Sequence, residues 1–153
     1  MLHELLKIKR IREQAAETEV RKSKRALSEA KQQVIEKQKE LEDYVEWRIQ
    51  EENRLYDNIM NTPIQNNDLD HVKQKVAIIR EKDVHLEQAI VDAENGVKEA
   101  EKVLESAQEA HAKAIQAVQK FEEFTKVQDE ELKKEAERVE ELEMEEFTVR
   151  PKY

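Results

Sequence analysis

The chain has 153 residues, of which 41% are charged and only 5% aromatic, with one Gly, two Pro and no Cys. That length excludes two ordinary domains, and 38% hydrophobic residues are too few for a compact sphere that must offset its chain entropy. One Gly cannot punctuate a multi-stranded sheet, and the lack of Cys excludes disulfides and thiolate metal sites. Charge richness then leaves a disordered chain or a long coiled coil, and periodicity decides between them.

The opening, Met1 to Gln14, meets charge within a few residues, which fits no signal peptide and predicts a cytoplasmic protein. No apolar run approaches the ~20 residues of a bilayer span, so no stable membrane insertion is expected. The net charge of -9 argues against a nucleic-acid partner, but its distribution is uneven. Residues 3–25 hold eight Lys/Arg against four Glu, whereas residues 129–146 hold ten Asp/Glu against three Lys/Arg.

In the first half Val20, Leu27, Val34 and Leu41 recur every seven residues, with Ala16, Ser23, Ala30, Lys37 and Tyr44 as companions. Near Tyr44 and Val45 this seam is expected to shift, continuing through Ile49, Tyr56 and Ile59 or Met60. A first helix is predicted over about 2–61. Pro63 forbids continued helix, and Asn66, Asn67 and Asp68 suit turns and N-caps, so a turn is predicted over about 62–68.

The second half is clearer. Val72, Ile79, Leu86, Ala93, Ala100, Ala107, Ala114 and Phe121 form one seven-residue series. Leu69, Val76, Asp83, Ile90, Val97, Leu104, His111, Val118, Thr125, Leu132 and Val139 form its partner, an a/d seam over about ten heptads. A helix is predicted over about 69–145, running through Asn95-Gly96 as a soft spot, with an extended tail over 146–153. The fold class is therefore all-α: a single long antiparallel two-helix coiled-coil hairpin whose second helix is the longer, in one domain over 1–153. Antiparallel return about a turn near residue 65 pairs positions summing to about 131 and leaves about 16 residues of helix two uncovered. That overhang carries Leu132, Val139 and Leu142 on one face.

Catalytic and metal chemistry is not legible. His3, His71, His85 and His111 form no i, i+4 pair, and Lys7 stands where a zincin motif begun at His3-Glu4 needs its second His. Residues 66–70 lack the Gly and terminal Glu of an EF-hand loop. Paired carboxylates on a thin hairpin face water, with no pocket to raise a pKa, so no enzyme activity, no cofactor and no metal are expected. His111, Asp83 and Lys37 at seam positions read as polar residues that fix register, with pH sensing as the other reading of His111.

Two segments suggest partners. Tyr44, Trp47, Arg48, Glu51, Leu55 and Tyr56 lie around the only Trp, where they either pack at the edge of helix two or form an exposed binding patch. Leu2, Leu5, Leu6, Ile8 and Ile11 alternate with Lys7, Lys9, Arg10 and Arg12. That basic amphipathic start packs on Phe121, Phe124 and Val127, meets an acidic protein, or lies on an anionic membrane.

The opening Leu-Leu-Lys-Ile-Lys-Arg-Ile-Arg-Glu-Gln, the stretch from Asp43-Tyr44 through Trp47-Arg48 to Arg54-Leu55-Tyr56, and Lys120-Phe121-Glu122-Glu123-Phe124 together resemble the YscO family of type III secretion proteins, relatives in role and shape of the flagellar protein FliJ. The resemblance spans essentially the whole chain in length, layout and motif order. It implies a non-enzymatic cytoplasmic stalk for the secretion ATPase, peripheral to the inner-membrane apparatus, with an export gate protein and escort chaperones as further partners and a monomer in isolation. On that analogy ATPase contact falls on Lys7, Arg10, Arg12, Leu132, Val139 and Leu142, and gate or chaperone contact on Tyr44, Trp47, Arg48, Glu51, Leu55 and Tyr56. The alternative is a structural coiled-coil scaffold or a peripheral membrane-binding hairpin unrelated to secretion.

Overall fold

The computed structural model describes residues 1–61 and 66–149. They form two α-helices, α1 (Leu2–Met60) of 59 residues and α2 (Asn66–Val149) of 84, with no strand among the described residues. Runs of Glu, Lys, Ala, Gln, Leu and Arg, the better helix formers, carry both elements with little interruption. α1 closes at Asn61, whose amide still donates to the Asp57 carbonyl at 3.3 Å. Pro63, the expected breaker, lies outside the described residues.

Both expected limits of the second helix are corrected. Asn66, Asn67 and Asp68, read as part of the turn, already belong to α2, where Asp68 places negative charge at the positive end of the helix dipole. At the other end, Glu146–Val149 are helical rather than extended. Nothing between Gly96 and Pro151 breaks a helix, and Thr148 Oγ1 donates to the Glu145 carbonyl at 3.0 Å. Residues 150–153 of the expected tail lie outside the described residues.

Contacts divide the chain into two compact units. The terminal unit joins Met1–Arg21 to the chain from Ser106 onward. Its helices run antiparallel: His3 Nε2 lies 3.0 Å from Asp129 Oδ1, and Arg10 Nη2 donates to Glu122 Oε1 at 3.4 Å. Leu6, Val20 and Thr125 are buried here, and Glu13, Ala16, Ala107, His111, Ala114, Val118 and Phe121 are half-buried along the same stripes.

The central unit, Lys22–Glu105, is also antiparallel. Leu55, Val72 and Val76 form a buried cluster with Ile59 and Ile79 against it, and Leu86 is buried further along. The Tyr44 hydroxyl donates to the Ile79 carbonyl at 2.7 Å. In each unit the facing numbers agree with the expected register: His3–Asp129, Arg10–Glu122 and Glu52–Arg80 sum to 132, and Arg48–Asp83 to 131.

In α2 the inward positions follow the expected seam from Leu69 to Thr125 without a slip. In α1 the expected shift at Tyr44 and Val45 is overturned. The stripe keeps its phase through Leu41, Tyr44, Arg48, Glu51, Glu52 and Leu55, while Ile49 and Tyr56 face water. A charged residue, Arg48, occupies the next seam position, and a charge there masks the period. The structure tolerates it because two carboxylates meet it there.

Candidate protein-binding surfaces

The aromatic segment of α1 presents two faces. Inward, Arg48 Nη1 donates to Glu52 Oε1 at 3.2 Å, and its Nε lies 2.9 Å from Asp83 Oδ2. Arg80 reaches the same Glu52 from α2, with Nε donating to Oε1 at 2.8 Å and Nη2 to Oε2 at 3.2 Å. These bonds, first the one from Arg80, hold the Glu52 carboxyl below its ordinary range in spite of burial. Burial, followed by the charge of Asp83, raises the Tyr44 phenol. Lys82 Nζ sits 4.9 Å from the centre of the Tyr44 ring.

Outward stand Trp47, Ile49 and Tyr56, with Trp47 and Ile49 each 49% exposed. The Trp47 ring leans on Tyr44 at 5.5 Å between centroids. Glu51 is held by Arg54, one turn along, whose hydrogen bonds pull the carboxyl below its ordinary range. The six residues grouped from the sequence therefore separate. Leu55, grouped with Trp47 as a candidate contact residue, is buried in the core cluster, because the unshifted seam turns it toward Val72 and Val76. Arg48 and Tyr44 are engaged with α2, and only Trp47 and Tyr56 offer free apolar area. Glu52 and Arg80 carry no signal in the sequence, since both lie beside the seam series and the Arg80 side chain is 60% exposed, so their pairing exists only once the second helix is present.

In the terminal unit Leu6 is buried, but Leu5, Ile8 and Ile11 remain 39%, 44% and 57% exposed beside Lys7 and Arg12. The expected packing of the basic start on α2 is thus partial. Lys9 Nζ lies 5.4 Å from the centre of the Phe121 ring, and Phe121 meets Phe124 edge-on at 5.9 Å. Leu2, Phe124 and Val127 line a shallow open groove with Glu123, Gln128 and Glu131.

Every residue from Asp129 to Thr148 is exposed. Leu132, Val139 and Leu142, at 61%, 45% and 55%, repeat at heptad spacing with no counterpart among the described residues of α1. Met144 and Phe147 add to this apolar area and were not singled out from the sequence, being off the seam. One cluster among the described residues has the donor types of a metal centre: Glu13, Glu17 and His111, which come from both helices. Among the described residues, no helix is long and apolar enough to cross a membrane.

The comparisons with known proteins agree with one another. A solved structure, the type III secretion protein YscO of Vibrio parahaemolyticus, superposes with a TM-score of 0.88 over 96% of this chain and 92% of that one, at 24% identity, which speaks to the fold. Yop proteins translocation protein O of Yersinia pseudotuberculosis serotype I (strain IP32953) is 32% identical over 87 residues, which span 57% of this chain and 56% of that protein's length. The family of the type III secretion protein YscO matches residues 2–150. With nearly every residue inside that match, and with its helical-pair fold, the chain belongs to the YscO family of type III secretion proteins.

Proposed function

We propose that this chain is a non-enzymatic cytoplasmic component of a type III secretion system that acts as a stalk-like partner of the secretion ATPase. The observation that carries the reading is the uncovered end of α2: a fully exposed acidic helix from Asp129 to Thr148 with Leu132, Val139 and Leu142 along one side. An apolar heptad stripe with no intramolecular cover is suited to a helical partner or a socket. Lys7 and Arg12 at the start of α1 are exposed in the same unit, and Arg10 reaches Glu122 only at 3.4 Å. Basic and acidic surfaces together would orient the end of the molecule in its partner.

Gate or chaperone contact falls on the aromatic segment in this reading. Trp47 and Tyr56 supply the contact area, Tyr44, Arg48 and Leu55 fix the helix behind them, and Glu51 borders them.

The test is the hydrolysis rate of the cognate secretion ATPase, titrated with the wild type and with two variants, Arg10→Glu/Arg12→Glu and Leu132→Ser/Val139→Ser/Leu142→Ser. Saturable stimulation, with each variant needing at least about tenfold more protein, is the expected result for lost interface anchors. Equal stimulation by wild type and both variants would remove the assigned contacts, and no stimulation or co-sedimentation would remove the stalk reading.

A second reading is favoured by the exposed Leu5, Ile8 and Ile11 among basic residues: peripheral binding to an anionic membrane. Flotation with anionic vesicles, lost in Ile8→Ser/Ile11→Ser, distinguishes it. A scaffold that self-assembles through the overhang would sediment as more than a monomer.

A further inference from the structure

We propose that Glu13, Glu17 and His111 form a site for a single divalent cation of the zinc class, joining α1 to α2 within the terminal unit. One donor atom from each residue lies within 4.8 Å of the others, and all three residues are half-buried. Glu13 and Glu17 are one turn apart on α1, so their carboxylates leave the same face. His111 comes from the facing helix, with Nε2 2.8 Å from Glu13 Oε1.

The surroundings suit an ion. His111 follows Ala107 and precedes Ala114 on the α2 seam, and Ala16 lies on α1, so small side chains border the three donors. Glu13 stands in the stripe that holds Leu6 and Val20, and a polar pair on facing seam positions gives up apolar packing that neighbouring layers use. Arg21 Nη2 donates to Glu17 Oε1 at 2.8 Å, and a carboxylate has a second oxygen to offer.

Imidazole nitrogen and carboxylate oxygen bind Zn²⁺ at about 2.0–2.2 Å, which places tetrahedral donors about 3.3–3.6 Å apart. The 2.8 Å contact would widen and the longer separations would close by side-chain rotation. Three protein donors leave a fourth position for water, and an imidazole ligand favours Zn²⁺ over Mg²⁺ or Ca²⁺, which take oxygen. The inference is independent of the stalk reading, because it concerns only how the two helices are held together.

The test uses the full chain, stripped with a chelator and titrated with Zn²⁺ by calorimetry and with Co²⁺ by visible absorption, alongside melting followed by circular dichroism. One ion per chain is expected. The melting midpoint should rise by on the order of 5–10 °C with Zn²⁺ at about a hundred times its dissociation constant. Glu13→Gln and His111→Gln should each weaken binding at least about tenfold and abolish the tetrahedral Co²⁺ band, whereas His3→Gln and His85→Gln should leave both intact. If Glu13→Gln or His111→Gln loses helicity, Glu17→Gln reads the same site without breaking the Glu13–His111 contact. Absence of stoichiometric binding, or binding that survives the site variants, would reduce the cluster to an interhelical ion pair and overturn the proposal.

Discussion

Arg48 of α1 and Asp83 of α2 face each other at seam positions of the central unit, with Nε 2.9 Å from Oδ2 and side chains 17% and 19% exposed. Asp83 Oδ1 has no hydrogen-bond partner among the described residues, so the pair is incompletely satisfied. Such a pair fixes register more than it stabilises, because desolvation consumes most of its Coulomb attraction.

Removing one partner should therefore cost more than removing both. Asp83→Ala is expected to lose about 2 kcal/mol, less than the 3–5 kcal/mol of a fully buried pair because the side chains keep some water contact. Arg48→Met/Asp83→Leu should recover most of that loss. Urea denaturation of the two variants and the wild type checks the order, and a double variant no more stable than Asp83→Ala would contradict it.

Leu55 and Trp47, two turns apart on α1, should separate core from surface. Leu55→Ala empties the cluster with Val72 and Val76 and is expected to cost about 2–4 kcal/mol. Trp47→Ala, at a half-exposed position, should cost about 1 kcal/mol or less. Thermal melting of both variants measures the difference. A Trp47→Ala protein that keeps its stability is then a clean probe of partner binding.

The depressed Glu52 carboxyl predicts how stability depends on acid. Its folded pKa lies below the unfolded one, so its contribution is present above the ordinary value of 4.5 and is lost as pH falls through the lower, folded value. Urea midpoints followed downward from about pH 6 should fall across the acidic range, and Glu52→Gln should flatten that slope. Arg80→Met should flatten it too, since Arg80 is the first cause of the shift. Equal slopes in wild type and Glu52→Gln would show that other carboxyls set the acid response.

Gly96 lies inside α2 without a positive φ, and a Cβ built there meets nothing within 4 Å. Gly96→Ala is therefore expected to stabilise the protein by about 1 kcal/mol, through higher helix propensity and a smaller loss of chain entropy. Thermal melting checks it. A lower midpoint would mean that the soft spot serves some local bend.

The α2 seam was readable residue by residue because Val72 to Phe121 are apolar or small at seven-residue spacing, and burial of that stripe is what a heptad encodes. The α1 seam failed at one position. Arg48 is charged, so the spacing alone carries the period on to Ile49 and Tyr56, which face water. The expected end of α2 falls four residues short, because apolar spacing weakens after Leu142 while helix propensity continues to Val149.

The sequence by itself determined the two long helices, their antiparallel register and the bare stripe from Leu132 to Leu142, since each follows from period, one breaker and chain length. Only the tertiary structure decided which charges turn inward. Arg48, Glu52 and Asp83 are soluble surface residues by type, and Glu13, Glu17 and His111 are far apart in number. Their roles exist only where the second helix brings opposite charge or a third donor within about 3–5 Å, near enough for an ion pair to offset part of the lost hydration or for side-chain rotation to close donors around one ion.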